Sequence, residues 1–241
     1  MNVLVVSPYF APMADVSCVR INSLCSFLLQ KGVHISVIRN THYEKSFEEK
    51  NNDLLQHVNL YLVDTDDSKK YDFLCQLYIN KFHEVMQKNS FDLVIITMGP
   101  FYTLPLCELC KKMYQIPCIL DYRDLWIFDM RKKRDFFNLR SLYHKLKYFP
   151  IEYKNIKVAE RVVTVTSDWV NILSHIYRGN KKKYCLISNG YDEEQINEND
   201  TLTKLNFSDN TFIISVFGKL AYYSPEYALK LFEAVNQINR E

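Results

Sequence analysis

The 241-residue sequence predicts an α/β protein, with a doubly wound, mostly parallel sheet followed by the opening of a second, smaller α/β unit. Three observations predict it. Short Val/Ile/Leu-rich runs alternate with helical apolar stripes from the first residue onward, the pattern of βαβ units. The runs are nearly free of polar residues, as strands covered on both faces require. Apolar residues at 48% and charged residues at 24% give the balance of a globular protein, which excludes collagen, disorder and a membrane bundle.

Taken in order, strands are expected at Asn2–Ser7, His34–Ile38, Val58–Val63, Leu93–Thr97, Cys118–Asp121, Val162–Thr166 and Tyr184–Ser188. Between them run helical stripes: Ile21, Leu24, Cys25 and Leu28; then Leu74, Leu77, Tyr78, Val85 and Met86; then Trp169, Ile172, Leu173 and Ile176. Helices of that length between strands imply right-handed crossovers and a parallel sheet over residues 1–190. Residues 191–210 lose apolar periodicity and become rich in Asp, Glu and Asn, so they read as a linker or hinge. A strand over Thr211–Phe217 and a helix opened by Ser224–Pro225, with a stripe of Ala228, Leu231, Phe232, Val235 and Ile238, are expected to begin the second unit.

Charge is unevenly placed. Residues 129–183 hold fourteen Lys/Arg against five Asp/Glu, whereas the rest of the chain holds sixteen against twenty-three. Such asymmetry suits an anionic surface or ligand, or else a solvated helix face. Arg131, Lys132, Lys133 and Arg134 are followed by Phe136 and Phe137, and this mixture of cations and aromatics fits an interfacial helix on an anionic membrane. Nucleic acid is disfavoured because no nucleic-acid module is recognisable.

Seven cysteines, an odd number set in apolar stretches, read as reduced thiols rather than a disulfide framework, which points to a reducing compartment. Cys25, Cys75, Cys118 and Cys185 are expected to be buried. Cys107 and Cys110 form a CxxC on an apolar helical pattern without a second pair, so a core face outweighs zinc or redox chemistry. The apolar start lacks a basic flank and contains two prolines, unlike a signal peptide. The longest uncharged internal run, Leu93–Cys107, is shorter than the roughly 20 residues a membrane span needs.

Ligands of doubly wound folds sit beyond the carboxyl ends of strands, so those loops hold the candidates. The first strand ends in Ser7-Pro8-Tyr9-Phe10-Ala11-Pro12, with Asp15 and Arg20 at the next helix start; Arg20 either clamps a phosphate or pairs with Asp15. The fourth strand ends in Met98-Gly99-Pro100, where Gly99 lets a ligand approach the backbone or simply makes a turn. The fifth ends in Asp121-Tyr122-Arg123-Asp124-Leu125-Trp126, the densest polar cluster in the chain. It reads either as a ligand site or as a buried Arg–Asp network bracing the sheet.

Several of these stretches resemble retaining GT-B glycosyltransferases of family 4. They are Val3 to Pro12, Phe91 to Ile96, Ile119 to Trp126, Arg161 to Thr166, and Ile187-Ser188-Asn189-Gly190-Tyr191-Asp192, which is similar to the family's Asn-Gly-x-Asp signature. Phe217-Gly218-Lys219 to Glu226 is similar to the glycine turn that opens the family's donor domain. The resemblance implies two Rossmann-like domains with the active cleft between them, of which 1–190 binds the acceptor and 211–241 begins the donor domain.

The resemblance further implies sugar transfer from a nucleotide-sugar to a lipid-linked saccharide in surface polysaccharide synthesis. It implies no metal or redox cofactor, and a cytoplasmic, membrane-peripheral location. Arg123 and Asp124 take the catalytic positions, where many members carry a histidine. Tyr9, Asp15, Arg20, Gly99, Pro100, Asp121 and Trp126 take the acceptor side. Gly218 and Lys219 take the donor side, and Asn189, Gly190 and Asp192 the hinge. The family's acidic donor pair is not in the sequence, so the chain is expected to need a further donor domain or a separate donor-binding chain. An epimerase of nucleotide-sugars, which shares the fold, and a non-catalytic acceptor-binding subunit are the alternatives.

Overall fold

A computed structural model describes residues 1–13, 16–41, 52–65, 68–128, 139–190, 212–216 and 225–238. The chain divides into two compact units, Met1–Asp192 and Glu193–Glu241.

The first unit is built on a seven-stranded sheet: β1 (Asn2–Val6), β2 (His34–Asn40), β3 (Asn59–Val63), β4 (Leu93–Met98), β5 (Cys118–Tyr122), β6 (Arg161–Thr164) and β7 (Tyr184–Leu186). All seven expected strands are present, with ends displaced by at most two residues. Every pairing is parallel, in the order β3-β2-β1-β4-β5-β6-β7. The helices are α1 (Val16–Gln30), α2 (Asn52–Gln56), α3 (Tyr71–Lys88), α4 (Leu106–Leu109), α5 (Leu139–Val158) and α6 (Ser167–Tyr177).

Alternation along the strands sorts the core into two layers. Val3, Val5, Ile35, Val37 and Ile95 pack with Ile21 and Cys25 of α1 and Leu54 of α2. Leu4, Val6, Ile38, Ile96, Leu120 and Val162 pack with side chains of α3, α4, α5 and α6. Val3 through Val6 are fully buried, because helices cover both faces of their strand. The strand order reverses beside β1, between its neighbours β2 and β4, and this is where a doubly wound sheet leaves a crevice at its carboxyl edge.

Local chemistry explains particular ends. Thr166 caps α6, its hydroxyl accepting from the Trp169 N–H at 3.2 Å. Buried polar groups are mostly paired: Tyr78 donates to Asn40 Oδ1 at 2.6 Å, and the Asn40 amide reaches the Tyr102 hydroxyl at 3.4 Å. α5 carries Pro150 inside its span and continues through it, a helix that the charge pattern alone shows only as a basic segment.

In the second unit the structure departs from expectation. The strand expected over Thr211–Phe217 is not formed among its described residues, 212–216, and Phe212, Ile213, Ile214 and Val216 are exposed. A strand needs a ladder partner for its N–H and C=O groups, and the described residues of this unit supply only helix α7 (Pro225–Ile238). α7 begins at Pro225, as expected for proline at the first helical position. Of its stripe, Ala228 is buried, Leu231 and Val235 are half-buried, and Phe232 and Ile238 are exposed.

The Thr164 hydroxyl at the end of β6 has no hydrogen bond among the described residues, although the residue is fully buried. Leaving such a hydroxyl unpaired costs about 1–3 kcal/mol. Thr164→Val keeps the branched shape and is expected to raise stability by about 1 kcal/mol in a urea titration; a loss of stability would place a partner on that oxygen.

Candidate active site at the carboxyl edge

Because side chains alternate, Ser7, Thr97 and Asp121 share the α1 face at the carboxyl ends of β1, β4 and β5, one step beyond Val5, Ile95 and Ile119 of that layer. Thr97 and Asp121 are direct register partners. The Thr97 hydroxyl donates to Ser7 Oγ at 3.1 Å, and Ser7 Oγ donates to the Tyr9 carbonyl at 2.6 Å. This chain of bonds shapes the turn that carries Tyr9 out of β1.

Arg20, in the second turn of α1, closes over Asp121. Its Nε lies 3.2 and 3.1 Å from the two carboxylate oxygens, and Nη2 lies 3.1 Å from Oδ1. Nη1 turns away to the Ser188 carbonyl at 3.0 Å, with a longer 3.5 Å approach to Asn189 Oδ1. A planar guanidinium can make both sets of contacts at once; an ammonium cannot. Among the described residues the carboxylate that Arg20 pairs with is Asp121; the expected pairing with Asp15 involves a residue outside them. Asp121 lies at the bottom of the crevice, where an unpaired carboxylate would be costly.

Arg123 is the next cation along. Its Nη2 donates to the Gly99 carbonyl at 2.9 Å, and Nη1 donates to the Ser17 carbonyl in the first turn of α1. Burial holds its guanidinium below the usual range, while Asp121, Cys18, Asp124 and Tyr9 pull the other way. An arginine stays protonated regardless, so the site holds a fixed positive charge. Gly99 has φ +99°, a conformation that a side chain resists, and a Cβ built there would meet nothing within 4 Å. The backbone between β4 and Pro100 therefore borders open space beside Arg123.

The structure thus brings together Arg20, Asp121, Arg123 and Gly99, with Tyr9 and Asp124 within electrostatic reach of Arg123. Trp126 turns instead into an aromatic stack, with its ring 5.0 Å from Phe101 at 4° and 5.7 Å from Tyr71 at 20°. Asn189 and Gly190 are exposed after β7. Asp15, Asp192, Gly218 and Lys219, together with Arg131, Lys132, Lys133, Arg134, Phe136 and Phe137, lie outside the described residues.

Other expectations concern thiols. Cys107, Cys110 and Cys118 are fully buried or nearly so, forming a core face, and all seven cysteines are free. Burial pushes the Cys118 thiol well up, so it is neutral. Cys25 is buried as expected, but Cys75 and Cys185 are only half-buried, since each sits at the margin of its helix or edge strand. Among the described residues no group of three or more His, Cys, Asp or Glu side chains is placed to hold a metal ion. A concavity of about 820 Å³ runs along α6, lined by Phe128, Ile172, His175, Ile176, Arg178 and Lys181 among others; none of the candidate residues lines it. Sequence reasoning misses Glu152, whose only signal was a single acid in an otherwise basic helix.

No family model matches the sequence, and no curated protein matches it. Solved structures match its fold. UDP-GlcNAc 2-epimerase from Neisseria meningitidis, bound to UDP-GlcNAc, is 15% identical with a TM-score of 0.52; the match covers 77% of this chain and 46% of that one. UDP-GlcNAc 2-epimerase from Methanocaldococcus jannaschii is 11% identical with a TM-score of 0.51, covering 78% and 46%. The glycotransferase of kitacinnamycin is 10% identical with a TM-score of 0.50, covering 97% and 63%. The chain spans less than half the length of the two epimerases. What it shares with these proteins is the Rossmann-like fold of the GT-B architecture.

The Arg20–Asp121 pair generates a test of the bracing role. Asp121→Ala leaves the partly buried Arg20 guanidinium without its carboxylate and is expected to cost about 3 kcal/mol, the low end for a buried pair, by chemical denaturation. Arg20→Lys, which keeps the charge but loses the fork, is expected to cost less than that and more than about 1 kcal/mol. Wild-type stability in both variants would mean that the pair braces nothing.

Proposed function

We propose that the chain is the acceptor-side part of a GT-B glycosyltransferase of the family 4 kind, moving a sugar from a nucleotide-sugar to a saccharide acceptor. The observation that carries this reading is the immobilised positive charge of Arg123 beside the open backbone of Gly99, at the carboxyl edge of a sheet whose fold recurs in nucleotide-sugar enzymes. Charge held in place before reaction needs no reorganisation to oppose the negative charge that develops on a departing diphosphate. Asp124, half-exposed next to it, is the carboxylate assigned to the incoming hydroxyl in this reading. Tyr9, Gly99 and Pro100 border the acceptor, and Arg20 and Asp121 hold the floor beneath it. The donor is a nucleotide-sugar and no metal or redox cofactor is required; Gly218 and Lys219 belong to the donor side, and Asn189, Gly190 and Asp192 to the hinge. Retention of configuration is part of this proposal.

The test uses a short-chain polyprenyl diphosphate sugar as acceptor probe, followed by saturation-transfer NMR. Binding is expected, and Arg123→Ala is expected to weaken it about tenfold or more, on the scale of a lost charge-assisted contact. Transfer is then read by mass spectrometry with a panel of nucleotide-sugars, in the presence of a complete donor domain; no binding and no transfer would overturn the reading. The fold likeness to UDP-GlcNAc 2-epimerases favours one second reading, epimerisation. Exchange of the C2 proton of UDP-GlcNAc with deuterated solvent would decide for it.

The acceptor is proposed to be lipid-linked and the protein to sit peripherally on an anionic, cytoplasmic membrane face, serving surface polysaccharide synthesis. Supporting this, α5 presents Leu139 (84% exposed), Leu142, Tyr143 and Leu146 (69% exposed) at helical spacing. Its lysines include Lys145, Lys154 and Lys157, and no helix among the described residues is long and apolar enough to cross a membrane. Each exposed cation near an anionic surface contributes about 1 kcal/mol, screened beyond about 8–10 Å at physiological salt. The protein is expected to float with phosphatidylglycerol vesicles and to release as salt rises. Replacing Arg131, Lys132, Lys133 and Arg134 with Ser is expected to weaken binding by at least about tenfold; equal flotation would sink the membrane assignment.

A further inference from the structure

Glu152 is 1% exposed on the inner side of α5, and it is the only acid in that helix. Three donors from three separate segments converge on its carboxyl group. The Tyr122 hydroxyl, at the end of β5, donates to Oε1 at 3.2 Å; the Tyr177 hydroxyl, at the end of α6, donates to Oε2; and the backbone N–H of Ile127 donates as well. Ile127 and Leu125 are buried, whereas Arg123, Asp124 and Trp126 of the same segment are only partly so. The segment is thus held from below at Leu125 and Ile127, while Arg123 and Asp124 stand at the carboxyl edge and Trp126 joins the aromatic stack.

We propose that Glu152 is the positioning residue of the 123–128 segment, its carboxylate holding Ile127 while Tyr122 and Tyr177 hold the carboxylate, so that Arg123 and Asp124 keep their place at the sheet's carboxyl edge. Its consequence for sugar transfer rests on the reading of the site given above, but the hold itself does not.

The titratable groups that face Glu152 carry no compensating positive charge. They are Tyr122 from β5, Tyr177 from α6 and Tyr71 from α3, with Cys107 of α4 beside Tyr122. Among the described residues no Lys, Arg or His is paired with it. Burial lifts the carboxyl to about 7, and the bonds from Tyr177, Tyr122 and Ile127 restrain that rise. Protonation places a hydroxyl among three donors. A phenol can rotate to accept from it, but the Ile127 N–H can only donate. Neutral Glu152 therefore loosens the segment, and ionised Glu152 holds it.

Stability runs the other way. The folded carboxyl binds a proton more readily than the unfolded one, so its contribution to stability is full in the acid range and is lost as pH rises through about 7. Order in the segment rises with pH while global stability falls, and this opposition separates positioning from a merely structural role.

Trp126 reports on the segment, since it stacks on Phe101 and lies 5.2 Å from Tyr148. Its fluorescence is read with Trp169 changed to Phe, because the chain has two tryptophans, and with His144 changed to Gln, because that ring lies 6.2 Å from Trp126. A single transition with its midpoint near 7 is expected. Glu152→Gln is expected to abolish it. Tyr177→Phe removes a donor that favours the anion and is expected to move the midpoint upward. A transition that survives Glu152→Gln, or a midpoint unmoved or lowered in Tyr177→Phe, would overturn the proposal. Where Glu152→Gln fails to fold, the Tyr177→Phe midpoint decides alone.

Discussion

Arg20 and Asp121 stand 101 residues apart in sequence, and their pairing ties together the carboxyl edge of the sheet. The pair fastens the start of α1 to the end of β5, and through the Ser188 carbonyl it reaches the segment after β7. A carboxylate at that depth needs a cation, and only a guanidinium presents enough donors in one plane to serve three partners. Once α1 is fixed there, its Ser17 carbonyl is where Arg123 requires it, and the second cation is fixed in turn.

The end of β5 is braced on both faces by different physics. Asp121 points to the α1 side and is neutralised by an opposite charge. Tyr122, one residue on, points to the other side and reaches a carboxyl whose donors among the described residues are all neutral. A carboxyl lifted by burial and held by phenols and an amide responds to pH near neutrality. The two supports therefore give the same loop a rigid anchor and a titratable one.

The fold is shared with proteins of different chemistry, among them epimerases and a glycotransferase. The seven-stranded parallel sheet explains why a crevice exists beside β1, but not which bond is broken in it. In this chain the crevice holds Arg123, a cation bonded to the Gly99 and Ser17 carbonyls, and the half-exposed Asp124 that follows it.

Period was legible in the amino-acid sequence. Uninterrupted apolar runs such as Val3–Val6 and stripes such as Ile21–Cys25 determine strands and helices locally, because alternation and helical spacing are properties of the backbone. The crevice loops were legible too, since they follow directly from where strands end. Tertiary structure decided the partners. Arg20 reads as a phosphate clamp or a mate for Asp15, and only the packing of α1 against β5 reveals that it pairs with Asp121. Trp126 reads as a member of the crevice, yet stacking with Phe101 and Tyr71 draws it into an aromatic layer. Glu152 sits in a basic helix, and only the convergence of β5, α6 and the Ile127 segment reveals its burial. Thr211–Phe217 has the composition of a strand, but composition cannot supply the neighbouring strand that completes its hydrogen bonds. Local pattern follows from residue order; long-range electrostatic and aromatic partnerships follow from distance, which only the folded chain sets.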